Sequence, residues 1–574
     1  MSVSLRVGSS NAALDHAFDP LVARVLAHRG INDPAQVNYQ LKHLLPYHQL
    51  KGIKEAVALL VHALETQQHI VIVGDFDCDG ATSTSLAMLA LGAMGAKNVS
   101  YLVPNRFDFG YGLSTALVDY AKASEPDLIV TVDNGIASHE GVTRAHELGI
   151  KVLVTDHHLA AQTLPKADAI VNPNQPGCEF PFKSTAGVGV IFYVMSALRR
   201  QLSTQGWFQQ QGITPPNMAQ YLDLVALGTV ADLVPMEHNN RIFVAQGVAR
   251  IRAGKARPGL LALLNIAKRQ HHNLQASDLG FSVGPRLNAA GRLDDMSLGI
   301  ECLLSDNEQI AAQLAQELDE LNAQRRNIEA DMQQQAVNIL ARLEASQDEV
   351  MPKCVCLFHP DWHQGVVGIV ASRIKEKWHR PALVFAKGDG DTIKGSCRSI
   401  AGFHLRDALA AVDAQNPGLI IKFGGHAMAA GLSIKAEHLG AFEVALNTYA
   451  QEHLPDSLLA QEWRSDGELG VNELQLNQAF LLQQAGPWGQ GFEEPTFHGR
   501  FMLVQQRVVA EKHLKLVLAH PQTGELVDGI YFNMDLAVWP NTSEQADLVY
   551  RLDINEFRGR QSLQLMVQQM NPVV

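Results

Sequence analysis

Between about residues 69 and 172, short apolar runs alternate with longer helix-like segments. Three of these runs end in an aspartate, and they read HIVIVGD, DLIVTVD and IKVLVTD. The first is followed by ATSTSLAMLALGAMGA, which has the composition of a helix packed on a sheet. Strands that alternate with helices imply crossover connections, so this pattern predicts a parallel sheet. Ligands of such sheets bind outside the carboxyl ends of the strands, which is where these aspartates lie.

A long helix is predicted next, from about residue 305 to 345. Ser305 and Glu308 have the spacing of a capping box. Apolar residues recur at helical period on one face, at Ile310, Leu314, Leu318, Leu321, Ile328, Met332 and Ile339. Because the opposite face is polar, we expect this helix to bridge two globular lobes.

Two further regions follow the helix. Residues 350–450 predict a second α/β region, with strands near CVCLF, ALVFA and GLSI. After about residue 460, strand-like runs are separated by turn residues, as in RFMLVQQRVVA, HLKLVLAH, LVDGIYF, ADLVYRLDI and SLQLMVQQM. Short strands in this succession predict a small all-β barrel.

Composition narrows the class of protein. A chain of 574 residues with 47% hydrophobic and 18% charged residues is expected to fold into three or four domains. It has no apolar run of about 18 residues, so no membrane span is predicted. The N-terminus lacks the pattern of a secretory signal, and the six cysteines form no CxxC pair. These features together predict a cytoplasmic protein.

The net charge of −13 argues against diffuse binding to duplex nucleic acid. A local basic channel remains compatible with that charge. Bound metal ions can also neutralise carboxylates at the place where a substrate phosphate sits.

Acidic and imidazole side chains recur at the ends of the predicted strands. The candidates are Asp75, Asp77 and Asp79 after the first strand, Asp133 after the second, His157 and His158 after the third, and Asp232 in LGTVADLVP. Carboxylates with one or two imidazoles suit Mn²⁺ or Mg²⁺. Two such ions can activate a water and stabilise charge on a phosphate. A single DxD or DHH sequence is common in solvated turns, but four such segments in order favour a metal site.

These motifs resemble those of the DHH phosphoesterase superfamily, and in particular its exonucleases specific for single-stranded DNA. The matching segments are DxDxDG, VDNG, DHH, LGTVADLVP, GPRLNAAGR, WHQGVVGIVASR, GSCRS, FGGHAMAAG and PWGQGFEEPTF. The resemblance runs from about residue 69 to the end. In one respect the chain departs from the wider superfamily, which often has a histidine where this chain has Val73.

The resemblance implies roles for the acidic and imidazole candidates. Two Mn²⁺ or Mg²⁺ ions would be bound by Asp77, Asp79, Asp133, His157 and Asp232. Asp75 and His158 would lie beside them as catalytic groups together with Asp133, and His158 would contact the scissile phosphate or the leaving oxygen. The implied reaction is 5′→3′ hydrolysis of single-stranded DNA to 5′-mononucleotides, in recombination and repair. A single-strand-binding protein and a recombination helicase are the implied protein partners.

The resemblance also predicts an order of domains in an α/β protein. They are an N-terminal cap region at 1–60, a parallel-sheet DHH catalytic domain at 61–304, the bridging helix at 305–348, a second α/β DHHA1 domain at 349–455 and an oligonucleotide-binding (OB)-like barrel at 456–574.

Substrate contacts are predicted from residues that suit phosphate. An arginine fork can donate two hydrogen bonds to one phosphate. The candidates for binding the strand are Arg106, Arg286, Arg373, Ser396, Arg398 and His426. In the barrel, cations and aromatics could follow the backbone and stack on bases, with candidates Lys512, His513, Lys515, Tyr531, Tyr550, Arg551, Arg558 and Arg560. An aromatic residue on a strand is more often part of a core, and Trp488 is expected to be a packing anchor.

Two alternatives stay open. One is a DHH phosphoesterase that acts on very short oligonucleotides or small phosphorylated molecules, although the predicted barrel disfavours it. The other is a non-catalytic scaffold that binds single strands, although every expected ligand position is occupied.

Overall fold

The computed structural model describes residues 2–104, 110–345 and 351–573. The chain divides into two compact units. The first comprises Val3–Asp319 together with Trp463–Val574, and the second comprises Glu320–Glu462. No helix within the described ranges is long and apolar enough to cross a membrane.

The strands are β1 (Ser2–Leu5), β2 (Ile70–Val73), β3 (Val99–Leu102), β4 (Leu128–Val132), β5 (Lys151–Thr155), β6 (Ala169–Val171), β7 (Val355–Phe358), β8 (Ala382–Lys387), β9 (Thr392–Arg398), β10 (Lys422–Gly425), β11 (Ala429–Lys435), β12 (Glu462–Ser465), β13 (Phe497–Val509), β14 (His513–Ala519), β15 (Leu526–Tyr531), β16 (Gln545–Phe557) and β17 (Arg560–Val573).

The helices are α1 (Ala12–Ala17), α2 (Pro20–Ala27), α3 (Ile53–Glu65), α4 (Cys78–Ala93), α5 (Thr115–Ala121), α6 (His139–Glu147), α7 (Gly187–Thr204), α8 (Trp207–Gln211), α9 (Leu222–Ala231), α10 (His238–Arg252), α11 (Pro258–Ile266), α12 (Ala276–Asp278), α13 (Gly284–Leu293), α14 (Ser297–Leu304), α15 (Glu308–Ala345), α16 (Val367–Trp378), α17 (Leu405–Gln415), α18 (Leu439–His453) and α19 (Leu476–Ala485).

A five-stranded parallel sheet organises the first unit. Its strand order is β3-β2-β4-β5-β6, and every neighbouring pair is parallel. The strands β2 and β4 are fully buried, as expected when helices cover both faces of a parallel sheet. The order places β2, β4 and β5 side by side, so the chain segments that follow them leave the sheet at one edge. The predicted parallel sheet is confirmed.

The C-terminal part of the first unit is a closed five-stranded barrel with the order β13-β14-β15-β17-β16. Closure removes the free edges that an open sheet would expose. Its interior is filled by side chains that include Phe497, Phe501, Leu516, Tyr550 and Leu565. The predicted small barrel is confirmed.

A buried charge network joins the N-terminal region to the segment before the barrel. The carboxylate of Asp466 is fully buried and accepts hydrogen bonds from both terminal nitrogens of Arg29, at 2.8 and 3.0 Å. The ring of His28 lies 3.0 Å from the same carboxylate. Burial alone would raise the pKa of Asp466, but the Arg29 guanidinium outweighs it and lowers that pKa. The two chain segments of the first unit are therefore joined by one ion pair that water does not screen.

A stack of cations and aromatic rings extends this junction. Arg29 lies over Trp488, Trp488 stacks on Phe492 with centroids 5.0 Å apart, and Arg241 lies over Phe492 at 4.2 Å. The Arg241 guanidinium also lies over the ring of Tyr39, 5.8 Å from its centroid. Such contacts stabilise most when they are withdrawn from water. The packing role predicted for Trp488 agrees with this arrangement.

The second unit is built on a mixed sheet with the order β10-β11-β9-β8-β7. Only β7 and β8 are parallel, and the other pairs are antiparallel. Its buried core contains Phe385 of β8, Leu405 and Leu409 of α17, and Phe442 and Leu446 of α18. A second α/β region was predicted here, and the fold confirms it.

The long helix α15 confirms the predicted helix but corrects two details. The residue that caps its N-terminus is Asn307 and not the predicted Ser305. The Asn307 side chain accepts hydrogen bonds from the amides of Gln309 and Ile310. Ile310 is 52% exposed, so the predicted apolar face is wrong at this position. Leu318 and Met332 are buried as predicted, and the buried face also includes Ala311, Ala315, Asn322, Glu329, Ala336 and Leu340. Three of these buried positions are alanines, which a search for large apolar residues does not detect.

Candidate metal centre and phosphate contacts

Three neighbouring strands deliver the candidate side chains to one edge of the parallel sheet. The loop after β2 carries Asp75 and Asp77, the loop after β4 carries Asp133, and the loop after β5 carries His157. Oxygens of Asp75, Asp77 and Asp133 lie within 4.8 Å of one another. A second group of the same compactness contains Asp133, His157 and the next residue, His158.

Helix α4 begins inside the first motif and fixes two of its carboxylates. Asp77 caps the helix by accepting from the amide of Gly80 at 3.0 Å. Asp79 is buried and points to the start of α7, where it accepts from the amides of Gly187 at 2.7 Å and Val188 at 3.0 Å. The positive end of α7 therefore supports this carboxylate.

Asp133 has a left-handed backbone, with φ of 62°. Aspartate adopts this conformation more readily than most residues, because its short polar side chain can hydrogen-bond locally. The Nε2 atom of His157 lies 3.1 Å from Asp133 Oδ1. Gly187 packs so closely that a Cβ there would lie 2.7 Å from Asp133 Oδ1. The glycine at position 187 is therefore needed for close packing against Asp133.

Asp232 completes the cluster from the end of α9. Its Oδ2 lies 3.5 Å from His157 Nε2, and Asp79 Oδ2 lies 4.0 Å from the same nitrogen. The loop after Asp232 is braced by the PWGQGF segment, because the amide of Met236 donates to the carbonyl of Gln490 at 2.7 Å.

His158 lies beside Asp133 and His157 and is held by Asp156. Its Nδ1 lies 2.7 Å from the buried carboxylate of Asp156, which also accepts from the amide of Ile136 at 2.9 Å. Burial alone would lower the pKa of His158, but Asp156 outweighs it and raises that pKa to about 9. The hydroxyl of Tyr111 lies 3.2 Å from the same ring. At neutral pH the His158 ring is therefore a cation, and Asp156, Asp232 and Asp75 are the acidic groups that act on it.

The cluster has the electrostatics of a site built for cations. Burial, then the neighbouring Asp77, raises the pKa of Asp79 to about 7. Burial, then Asp79, raises the pKa of Asp133 and of Asp232 well above the usual range of a carboxyl group. Burial lowers the pKa of His157 to about 4, so its ring is neutral and able to coordinate.

Two buried atoms at the centre test whether a divalent cation fits. Asp133 Oδ1 and His157 Nε2 lie 3.1 Å apart, yet neither makes a hydrogen bond of acceptable geometry to any described residue. A buried polar atom without a partner costs free energy, and a metal ion would supply the missing partner for both. Four carboxylates with one neutral imidazole are a donor set that Mn²⁺ and Mg²⁺ accept.

Three of the predicted substrate residues lie together in the second unit. Ser396 and Arg398 are on β9, and Arg398 is in register with Ala429 of β11, next to the turn that carries His426. The Arg398 guanidinium donates to Ser396 Oγ at 3.1 Å. The start of α16 approaches them so closely that a Cβ on Gly368 would lie 2.9 Å from Ser396 Oγ. No carboxylate of a described residue lies within 4.0 Å of the Arg398 guanidinium, which suits it to an anion.

The other predicted arginines are placed differently. Arg286 is paired with Asp319 at 2.8 Å, and Arg373 is paired with Glu329 at 3.0 Å. These ion pairs favour a structural role for both. Arg106 lies outside the described residues.

In the barrel, the structure separates the predicted candidates. Tyr550 is 1% exposed and belongs to the core, so it is not a stacking platform. Arg551 is paired with Glu494. Lys515 is paired with Asp528 at 3.2 Å. Arg558 lies over the ring of Phe557, which is 66% exposed at the tip of the β16–β17 hairpin.

Sequence reasoning missed two groups at the centre. Asp156 had been noted as the end of a strand, but its role as the partner of His158 follows only from the hydrogen bonds. Tyr111 lies between Gly110 and Gly112, which both have φ of 75°. That glycine spacing indicates a sharply turned loop, and it is the one feature of the sequence from which this side chain could have been found.

Comparison with known proteins matches three family models to the chain. They are the DHH family N-terminal domain at residues 69–229, the DHHA1 domain at 351–452 and the RecJ OB domain at 465–569. Fold and site thus define a phosphoesterase of the DHH class.

Comparison with individual proteins identifies the family within this class. The single-stranded-DNA-specific exonuclease RecJ of Salmonella typhimurium is 53% identical over 99% of this chain and 98% of its own length, and that of Escherichia coli K12 is 53% identical over 98% and 97%. The crystal structure of Thermus thermophilus RecJ with Mn²⁺ matches with a TM-score of 0.79 and 30% identity, over 100% of this chain and 79% of that one. The chain belongs to the RecJ family of single-stranded-DNA-specific exonucleases.

Proposed function

We propose that this protein hydrolyses single-stranded DNA from the 5′ end to 5′-mononucleotides, in DNA recombination and repair. The observation that carries the proposal is the convergence of carboxylates and an imidazole from four separate segments of the chain. Two of the converging atoms, Asp133 Oδ1 and His157 Nε2, are buried and make no hydrogen bond to any residue that the structure describes. The family membership supports the preference for single-stranded DNA.

In this proposal Asp77, Asp79, Asp133, His157 and Asp232 hold two divalent cations. When bound, Mn²⁺ or Mg²⁺ supplies an activated water and neutralises charge that develops on the phosphate.

The remaining residues bind and orient the strand. His158, kept protonated by Asp156, donates a hydrogen bond to an oxygen of the scissile phosphate. Asp75 lies beside Asp77 and Asp133 and orients the water. Arg398 and Ser396 hold a phosphate of the strand, supported by their geometry and by the absence of a described acidic partner for Arg398.

The test uses one single strand labelled at the 5′ end and the same strand labelled at the 3′ end, with a blunt duplex as control, over a range of Mn²⁺ and Mg²⁺ concentrations. We expect the 5′ label to appear first, as a mononucleotide, only from the single strand and only with metal. Release first from the 3′ end would contradict the polarity. Cleavage restricted to dinucleotides would favour the short-oligonucleotide alternative.

A site test distinguishes catalysis from mere binding. We expect Asp133→Ala and His157→Ala to abolish hydrolysis while both variants still bind the strand. Metal-dependent hydrolysis that persists in either variant would contradict the assignment.

We further propose that the protein acts in the cytoplasm, with a single-strand-binding protein and a recombination helicase as partners. Its six cysteines are all free thiols, which agrees with a reducing compartment. For the partners the support is the family membership alone. Stimulation of strand degradation by each purified partner protein would test them.

A further inference from the structure

The loop between β6 and α7 connects chain segments that carry metal-centre side chains, although none of its own side chains belongs to the predicted site. It comprises residues 172–186, with the sequence NPNQPGCEFPFKSTA. Three prolines and one glycine in so short a segment disfavour a regular helix or strand. Backbone carbonyls in and around the segment therefore need other hydrogen-bond partners. We call this segment the β6–α7 loop.

Two asparagines at the start of the β6–α7 loop hold the backbone of the paired histidines. The Nδ2 atom of Asn174 donates to the carbonyl oxygen of His157 at 2.5 Å. That of Asn172 donates to the carbonyl oxygen of His158 at 2.9 Å. Asn172 is fully buried, and its Oδ1 accepts from the amide of Asn174 at 2.7 Å, which makes a compact turn. The turn therefore fixes the backbone that carries both imidazoles.

Asn174 also joins His157 to the segment that supports Asp79. Its Nδ2 donates a second hydrogen bond, 3.0 Å long, to the carbonyl oxygen of Lys183. Four residues beyond Lys183, the amide of Gly187 donates to the Asp79 carboxylate at 2.7 Å. One side-chain amide thus bonds to the carbonyl of a proposed metal ligand and to a carbonyl in the segment that leads to a second ligand.

The ammonium group of Lys183 closes the β6–α7 loop on itself. Its Nζ donates to the carbonyl oxygens of Pro173 at 2.8 Å and Cys178 at 2.9 Å. Hydrogen bonds from a charged donor are stronger than those between neutral groups. These bonds stiffen the loop, so the positions of its two ends are coupled.

Asn240 ties the same loop to the segment of Asp232. It lies in the first turn of α10 and is 1% exposed. Its Nδ2 donates to the carbonyl oxygen of Ser184 at 2.8 Å and to that of Pro235 at 2.9 Å. Pro235 is three residues after Asp232. The Asn240 amide therefore repeats the arrangement of Asn174, since it bonds to one carbonyl of the loop and to one carbonyl of a segment that carries a proposed ligand.

We infer that Asn174 and Asn240 are positioning residues of the metal centre, which set the separation of His157, Asp79 and Asp232 through the β6–α7 loop. Within the described chain, the hydrogen bonds of both side chains go only to backbone carbonyls, so their effect on a bound cation is indirect. Separation matters because metal–ligand distances tolerate deviations of only about 0.2 Å. The inference rests on the proposed metal centre and identifies residues that determine its affinity.

The test replaces each asparagine by leucine, which has a similar size and adds no charge. Mn²⁺ is titrated into full-length protein that has been stripped with EDTA and dialysed, and free Mn²⁺ is counted from its electron paramagnetic resonance signal. We expect Asn174→Leu and Asn240→Leu to bind Mn²⁺ about 10 to 100 times more weakly than the parent, the usual effect of removing an outer-shell hydrogen bond. Half-maximal hydrolysis of single-stranded DNA should need correspondingly more Mn²⁺.

The matched control is Asn447→Leu in the second unit. The Asn447 side chain likewise bonds to two backbone carbonyls, those of Cys354 at 3.0 Å and Glu443 at 3.1 Å. Its replacement should lower the melting temperature in EDTA, as should those at Asn174 and Asn240, but leave the affinity for Mn²⁺ unchanged. Asn174→Ala and Asn240→Ala remove the same hydrogen bonds without adding volume, and they take the place of any leucine variant that does not fold.

Parental affinity for Mn²⁺ in the Asn174 and Asn240 variants would overturn the inference while leaving the metal centre intact, because the two asparagines would then serve only the folding of the loop. An equal loss of affinity in Asn447→Leu would also overturn it, since the effect would then reflect general instability. A parent that binds no Mn²⁺ would instead contradict the proposed metal centre, and this inference with it.

Discussion

Replacing Asp79 by asparagine is expected to stabilise the metal-free protein while abolishing hydrolysis. The carboxylate is fully buried among like charges, and its pKa is raised from 3.8 to about 7. In the folded protein it therefore holds a proton at pH values where the unfolded chain has lost it. The folded state pays for this difference, which is about 3 pH units and about 4 kcal/mol at 1.4 kcal/mol per unit.

Asparagine removes that cost but loses one acceptor. Asp79 accepts from the amides of Gly187 and Val188 with different oxygens, and asparagine offers only one oxygen. A buried amide without a partner costs about 1 to 3 kcal/mol. The net stabilisation at pH 7 or above is therefore about 1 to 3 kcal/mol. At about 2 to 4 °C per kcal/mol, the value for a domain of about 150 to 250 residues, this raises the melting temperature by about 2 to 12 °C.

The sign of the effect depends on pH. The cost of the raised pKa is absent below about pH 4, grows as pH rises, and is complete above about pH 7. The advantage of Asp79→Asn should therefore shrink towards pH 5 and reverse in more acidic buffer, where only the lost hydrogen bond remains.

The assay is thermal unfolding in EDTA at several pH values, with Asp306→Asn as the control at an exposed position. Addition of Mn²⁺ should raise the melting temperature of the parent more than that of the variant, because binding to the folded state alone stabilises it. A variant that melts below the parent in EDTA at pH 8 would refute this reasoning.

Three further predictions follow from other contacts. Asp156→Asn should lower the pKa of His158 from about 9 towards 6.5. The alkaline limb of the pH–rate profile should therefore shift to lower pH over the same interval, and an unchanged profile would contradict the role of His158. Arg398→Ala should weaken single-strand binding and reduce the slope of log affinity against log salt by about 1, measured by anisotropy, with Arg398→Lys restoring the slope but not the full affinity. Arg29→Ala should lower the free energy of unfolding in urea by about 3 to 5 kcal/mol, because it leaves the Asp466 carboxylate buried without its cation. Adding Asp466→Asn to this variant should recover part of the lost free energy of unfolding.

Much of the metal centre could be predicted from sequence, because its residues are tied to strand ends. A buried parallel strand is a short apolar run, and the residue after it must lie at the carboxyl edge of the sheet. Asp75, Asp133 and His157 each follow such a run, so their meeting depends only on β2, β4 and β5 being neighbours. The second-unit cluster of Ser396 and Arg398 was likewise proposed from a short motif.

Other features depend on partners that are distant in sequence. Nothing local to Arg286 indicates that Asp319, 33 residues away, neutralises it. The amides of Gly187 and Val188 at Asp79 come from a helix 108 residues further along the chain. The cap at Asn307 was missed for the opposite reason, since Ser305 offered an equally good local pattern and the choice between them depends on where the helix packs.

The central claim is that the acidic and imidazole side chains of four segments hold a pair of divalent cations. Crystals grown with Mn²⁺ and measured at the manganese absorption edge test it most directly. We expect two anomalous peaks within coordination distance of Asp77, Asp79, Asp133, His157 and Asp232, and the loss of at least one of them in crystals of Asp133→Ala. Crystals without anomalous density at this cluster, from protein that still degrades single-stranded DNA, would contradict the account.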